Sequence, residues 1–136
     1  MEYDQHSNVQ AESVIGPVAI ATSTTTAGAI IDTQGFESLE YLISSGVITD
    51  GTYDVTLEEG DDPALADAAP VPAANILGAL PSFADTDDDV SKRVGSIGKK
   101  RYQRLNIDSA GVTAGGLFAA VGVLGNPKSG PVADQS

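Results

Sequence analysis

The chain has 136 residues, with 19 acidic side chains against seven basic ones, a formal net charge of -12 and no cysteine. So acidic a surface repels nucleic acid and anionic membranes, and the missing thiols exclude disulfides, thiolate catalysis and cysteine-based metal sites. Aromatics make up only 5%, with no Trp, while glycines number 15, so a core must come from Val, Ile, Leu and Ala in a fold of short strands and tight turns.

In chain order, residues 1–12 are polar, carry Tyr3 and the sole histidine, His6, and read as an N-terminal arm. The opening MEYDQHSN has neither a charged n-region nor an apolar h-region, and no stretch approaches about 18 unbroken apolar residues, so neither a signal peptide nor a membrane helix is expected. Ser13–Ala21 reads as a first strand. Gly16 and Pro17 in its middle place it at a sheet edge or bend it at a bulge, since proline donates no ladder hydrogen bond. Thr22–Thr26 is a turn or extended connection, and Ala27–Asp32 a short strand.

From Phe36 the alternation sharpens, with Leu39, Tyr41 and Ile43 on one face and Ser38, Glu40 and Ser44 on the other. Asp50-Gly51 then predicts a hairpin into a strand facing Tyr53, Val55 and Leu57 inward. Residues 58–75 form an acidic, Ala- and Pro-rich connection, with one short strand near 75–80 and another acidic loop over 81–89. Val90–Ile97 is a strand. Leu105 and Ile107 mark a half-buried strand, and the apolar run Gly115–Leu124 a central one, joined to it by a glycine-rich turn. Residues 126–136 are a polar tail. The sum is about eight strands at sandwich spacing, an all-β, two-sheet antiparallel jelly-roll-like domain over 13–125, with an immunoglobulin-like sandwich as the alternative.

Candidate chemistry is sparse. Asp85, Asp87 and Asp89 alternate as calcium ligands do, but the positions a calcium loop reserves for Gly and Glu hold Val90 and Ser96, so no metal is expected beyond a weak calcium possibility there. A glycosidase carboxylate pair lacks sugar-stacking aromatics, and a Ser-His pair lacks any base but His6. The glycine runs carry no GKS/T ending, so no phosphate cradle, cofactor or small-molecule substrate is expected, and no enzymatic activity. What remains is charge. Lys92, Arg93, Lys99, Lys100, Arg101 and Arg104 crowd one stretch, either to neutralise the chain's own acidic loops or to dock onto carboxylates of a partner.

Phe36–Tyr41, Gly46–Tyr53, Leu57–Asp62, Lys92–Tyr102 and Ala120–Pro127 together resemble a family of small structural proteins of tailed bacteriophages. Its members share an aspartate/glycine turn, a VGYIG-K-RYVR-like strand and an apolar strand ending in GHPR-like residues. This chain has Asn126 and Lys128 where His and Arg are common. The resemblance implies a non-enzymatic virion component, a capsid decoration (cement) protein that stabilises the head from the capsid exterior as a homotrimer bound to the major capsid protein. The six bases, with Tyr3 and His6 of the arm, would then be the partner interface. The alternatives are a neck or tail component, or a carbohydrate-binding sandwich.

Overall fold

The computed structural model describes residues 4–97, 99–129, 131–133 and 135. Alternation along the chain produces eleven strands: β1 (Val9–Ile20), β2 (Thr25–Ala27), β3 (Ile31–Asp32), β4 (Phe36–Ile48), β5 (Thr52–Gly60), β6 (Ala69–Pro70), β7 (Ile76–Leu77), β8 (Ser82–Phe83), β9 (Ser91–Ser96), β10 (Tyr102–Ala110) and β11 (Gly116–Pro127). They form two antiparallel sheets, a five-stranded one in the order β1-β11-β4-β9-β7 and a six-stranded one in which β10 and β5 are central, flanked by β2 and β3 on one side and by β6 and β8 on the other. The sandwich is jelly-roll-like, and its extra strands over the expected eight are pieces of two or three residues, too short to show a period.

The inner faces carry the residues that period-2 patterning picks out. Leu39, Tyr41 and Ile43 of β4 meet Tyr53, Val55 and Leu57 of β5, with Leu105 and Ile107 of β10 and Phe118, Ala120 and Leu124 of β11 completing one core. Three rings concentrate at one end, Tyr53 and Phe118 with centroids 4.6 Å apart and Phe83 set edge-on to Phe118 at 5.3 Å. β1 is an edge strand, and its register shifts between Ser13 and Ile15 and again between Ile15 and Val18, where Gly16-Pro17 interrupts the ladder.

Two expectations change. The arm gives way to ladder at Val9: Val9–Glu12 pair with residues 122–125 of β11, where their side chains alternate apolar and polar at the sheet edge. The Asp50-Gly51 turn does not close a hairpin. β4 pairs with β11, and β5 with β10, so the turn arches from one sheet to the other, and the turn between β10 and β11 does the same above it. A tight Asp-Gly turn reverses the chain equally well within a sheet or between sheets, and here the long partners lie far downstream, with Thr52 opposite Ala110 and Ile48 opposite Gly116.

The two arches are fastened by one carboxylate. Asp50 accepts backbone N–H bonds from Thr113, Ala114 and Gly115 at 2.9–3.2 Å. Thr49 N–H donates to the Gly115 carbonyl at 2.9 Å, and the Tyr53 hydroxyl donates to the Asp50 carbonyl at 2.8 Å. Gly51 sits at φ +91 with the Val112 side chain only 2.7 Å from where a Cβ would stand, so any side chain there is strained. At one lateral edge Gly28 N–H bonds the Leu105 carbonyl and Ala29 N–H the Val14 carbonyl, both at 2.8 Å, tying the two sheets together. At the other edge the chain passes from β6 to β7 to β8, from one sheet to the other and back, which covers the flanks of β5 and β9.

The N–H bonds from Gly115, Ala114 and Thr113 hold the Asp50 carboxyl below its ordinary pKa. Its stabilising effect is therefore present above the unfolded carboxylate value of about 4 and fades as pH falls through the lower folded value. Asp50→Ala is expected to lower Tm at pH 7, with the deficit relative to the parent shrinking as both are melted below about pH 4; a deficit independent of pH would contradict the charged staple.

Candidate functional site

The six clustered bases fall on two strands of opposite sheets and on the connection between them. Lys92 and Arg93 are on β9, Lys99, Lys100 and Arg101 in the β9–β10 connection, and Arg104 on β10 of the opposite sheet. They form no continuous ridge. Five are engaged at home. Lys92 reaches the Ser82 carbonyl at 2.6 Å and Asp87 at 3.5 Å, with its ammonium 4.8 Å from the Phe83 ring centre. Arg93 lies 3.6 Å from Glu40, and Lys100 3.0 Å from Asp61. Arg101 forks onto both oxygens of Asp32 at 2.8 Å, and Arg104 pairs with Glu58, which also accepts from Asn106.

These pairs perturb their members as expected. The Arg101 hydrogen bonds hold Asp32 below the usual carboxylate range, and the same contact raises Arg101. Lys100 is raised by its bond to Asp61 and by the nearby charges of Asp67 and Glu59. Asp67 is lowered by N–H bonds from Asp61 and Asp62, which shape the acidic loop after β5.

Lys99 and Lys128 differ. Among the described residues neither side chain has an ion-pair or hydrogen-bond partner, and both line one shallow depression of about 410 Å³ together with Lys100, Arg101, Thr33 and Gln34. Three segments build it. The turn before β4 is held by Thr33, whose N–H and hydroxyl both donate to the Arg101 carbonyl (2.9 and 2.7 Å), and the end of β11 is held by Lys128 N–H on the Gly35 carbonyl (2.8 Å). The β9–β10 connection supplies the third side. With Arg101 and Lys100 bound to Asp32 and Asp61, the two ammonium groups without a partner among the described residues suit this depression, whose wall also carries Glu37, to an added carboxylate or phosphate.

Beneath this end lies a polar layer that sequence reasoning passed over. Glu59, 8% exposed, follows Tyr53, Val55 and Leu57 on the inner face of β5, opposite Gln103, whose Oε1 accepts from Ser96 Oγ at 2.7 Å. Extending the period by one step would have placed Glu59 inside. Lys128 was legible as a departure from the phage pattern, yet only the return of β11 past Gly35 brings it to Lys99.

The remaining candidates do not gather. Asp87 accepts from Ala84 N–H and pairs with Lys92, Asp89 N–H donates to the Gly46 carbonyl, and among the described residues no group of three acids or histidines, Asp85, Asp87 and Asp89 included, gathers as a metal site requires. His6 is exposed in a 3-10 turn (His6–Asn8) before β1, and Tyr3 lies outside the described residues. Of the described aromatics, Tyr41, Tyr53, Phe83 and Phe118 are buried in the core and Phe36 packs against it, whereas Tyr102 is half-buried on the outer face of β10, on the side of Arg104 and Asp108, with the Arg101 guanidinium 5.0 Å from its ring centre.

No protein-family model matches the chain, and no curated protein sequence matches it. Solved structures do. The PBSX exported protein XepA superposes with TM-score 0.61 at 15% identity over 93% of this chain, which spans only 41% of XepA. A protein of the Bacillus endospore appendages, described as disulfide-linked pili, gives TM-score 0.51 at 12% identity over 89% of this chain and 90% of its own. The SPBc2 prophage-derived protein YomS gives 0.45 at 9% identity, over 88% of this chain and 94% of its own. At these identities the likeness establishes the sandwich and nothing finer.

The split between paired and unpaired bases is measurable. Lys99→Glu is expected to leave Tm unchanged, whereas Arg101→Glu, which sets two carboxylates face to face at Asp32, lowers it in thermal melts followed by circular dichroism. Equal losses would place Lys99 in an intrachain pair.

Proposed function

We propose that this chain is a non-enzymatic structural protein of a tailed-phage particle that decorates and stabilises the capsid from outside by binding its major capsid protein lattice. The observation that carries the reading is the sorting of charge. In a chain of net charge -12, five of the six clustered bases are neutralised by the chain's own acids, and Lys99 with Lys128 is left to face one depression. Two ammonium groups on a strongly acidic sandwich are an address for a carboxylate-bearing surface. The motif resemblance to phage structural proteins supplies the larger body, and the fold shared with XepA is compatible with it. Many such weak contacts, repeated over a symmetric lattice, add as avidity.

A carbohydrate-binding module is the rival reading. Sugar rings stack on exposed aromatic faces, and five of the six described aromatics lie in or against the core, with Tyr102 half-buried on an outer face under the Arg101 guanidinium. A neck or tail position would use the same contacts on a different assembly.

Shells lacking the chain, mixed with it and sedimented, test the proposal. The parent protein is expected to co-sediment, less so at high salt, and Lys99→Glu/Lys128→Glu to lose at least about tenfold in affinity, as removal of charged interface contacts does. Failure of the parent to bind shells, together with glycan-array hits, would overturn the reading in favour of the rival.

A further inference from the structure

The outer face of the five-stranded sheet is apolar where the outer face of the other sheet is polar. The registers place Leu117, Ala119, Val121 and Val123 of β11 on it, beside Ala11, Ser13 and Ala19 of β1 and Leu42 and Ser44 of β4. Leu117 is 48% exposed and packs over Gly46, while Leu42 and Val121, 40% and 39% exposed, stand side by side. Two shallow depressions, of about 320 and 230 Å³, flank Leu117 and share its side chain and Ala19. By contrast, the exterior of β5 and β10 presents Asp54, Thr56, Glu58, Arg104 and Asp108.

We infer that this face seats a second copy of the same chain, sheet against sheet about a two-fold axis. Three observations select that occupant. First, charge: the only charged side chains that β1, β11, β4 and β9 turn to this face are Glu40 and Arg93, one acid and one base 3.6 Å apart, with the Arg93 side chain 78% exposed. The patch is thus neutral in a strongly acidic protein, and it is the place where two like-charged copies can meet without repulsion. Its single acid and base are also self-complementary, since a two-fold axis sets Glu40 of each copy toward Arg93 of the other.

Second, area: at about 4.8 Å between strands and about 3.3 Å per residue, β1, β11, β4 and β9 span on the order of 600–700 Å², near the roughly 800 Å² per partner of a stable interface. Third, the described C-terminal residues do not cover it. Val132 N–H bonds the Ser7 carbonyl at 2.8 Å, and the Gln135 side-chain amide pairs with both backbone groups of Ala11 at 2.9 Å, so that segment runs along the edge of β1. The Ala11 backbone is thereby already taken, so strand addition at that point of β1 is blocked while the sheet face stays open.

This inference stands apart from particle binding, because it concerns the protein alone in solution, and it sets a two-fold pair in place of the homotrimer that the phage resemblance implies. Sedimentation equilibrium over a range of concentrations tests it. The parent is expected as a dimer, Leu117→Lys as a species dissociating at least tenfold more readily with an unchanged far-UV spectrum, and Arg93→Glu as weakened but restored by adding Glu40→Arg. Val121→Lys gives the same reading should Leu117→Lys fail to fold. A parent monomeric at all concentrations, a three-copy species, a dimer indifferent to both lysines, or association that requires shells would each overturn it.

Discussion

The structure depends on two chain crossings that lie one above the other and are held together by Asp50. Because the first crossing carries β4 into β5 and the second β10 into β11, each long strand finds its main partner in the other arch, β4 with β11 and β5 with β10. The three N–H groups that Asp50 gathers belong to a turn without side-chain partners of its own, so the carboxylate satisfies donors that the crossing would otherwise leave to solvent. The aromatic cluster of Tyr53, Phe83 and Phe118 packs at this end, joining hydrogen-bonded and apolar fastening in one place.

From that arrangement the rest follows. Placing β11 between β1 and β4 makes it a central strand, and its run of apolar residues then faces both the core and the outside of the sheet. Inside, Phe118, Ala120 and Leu124 are buried; outside, Leu117 and Val121 are not. A half-polar strand would have sufficed if one side of this sheet met only water. The charges divide with the same economy. Acidic loops after β5 and β8 hold Lys100 and Lys92, Asp32 and Glu58 hold Arg101 and Arg104, and the basic depression keeps the two ammonium groups that pair with no acid among the described residues.

Alternation was a good guide to what faces inward and a poor one to what pairs. Tyr41, Tyr53, Leu105 and Phe118 are buried as their spacing demands, and Gly16-Pro17 marks an edge strand with a broken register because proline can do nothing else there. The Asp-Gly turn misled, since its φ requirement is identical for a hairpin and an arch and only long-range pairing decides between them. β2, β3, β6, β7 and β8 are too short to carry a period and exist because a neighbouring long strand offers free backbone groups. The bases illustrate the same limit. Arg93 and Arg104 are close in sequence, yet β9 and β10 belong to different sheets, so the two face opposite sides of the sandwich, while Lys99 and Lys128 meet from distant parts of the chain.

The account holds that this protein works by its surfaces alone, an apolar sheet turned to a sister molecule and a two-lysine depression turned to a carboxylate-bearing shell. Electron microscopy of shells saturated with the protein, at a resolution that orients the sandwich, measures both contacts at once. Density that buries Leu117 and Val121 against a second copy and sets Lys99 and Lys128 against the shell is the predicted result. A sandwich bound with that sheet and that depression both open to solvent would contradict it.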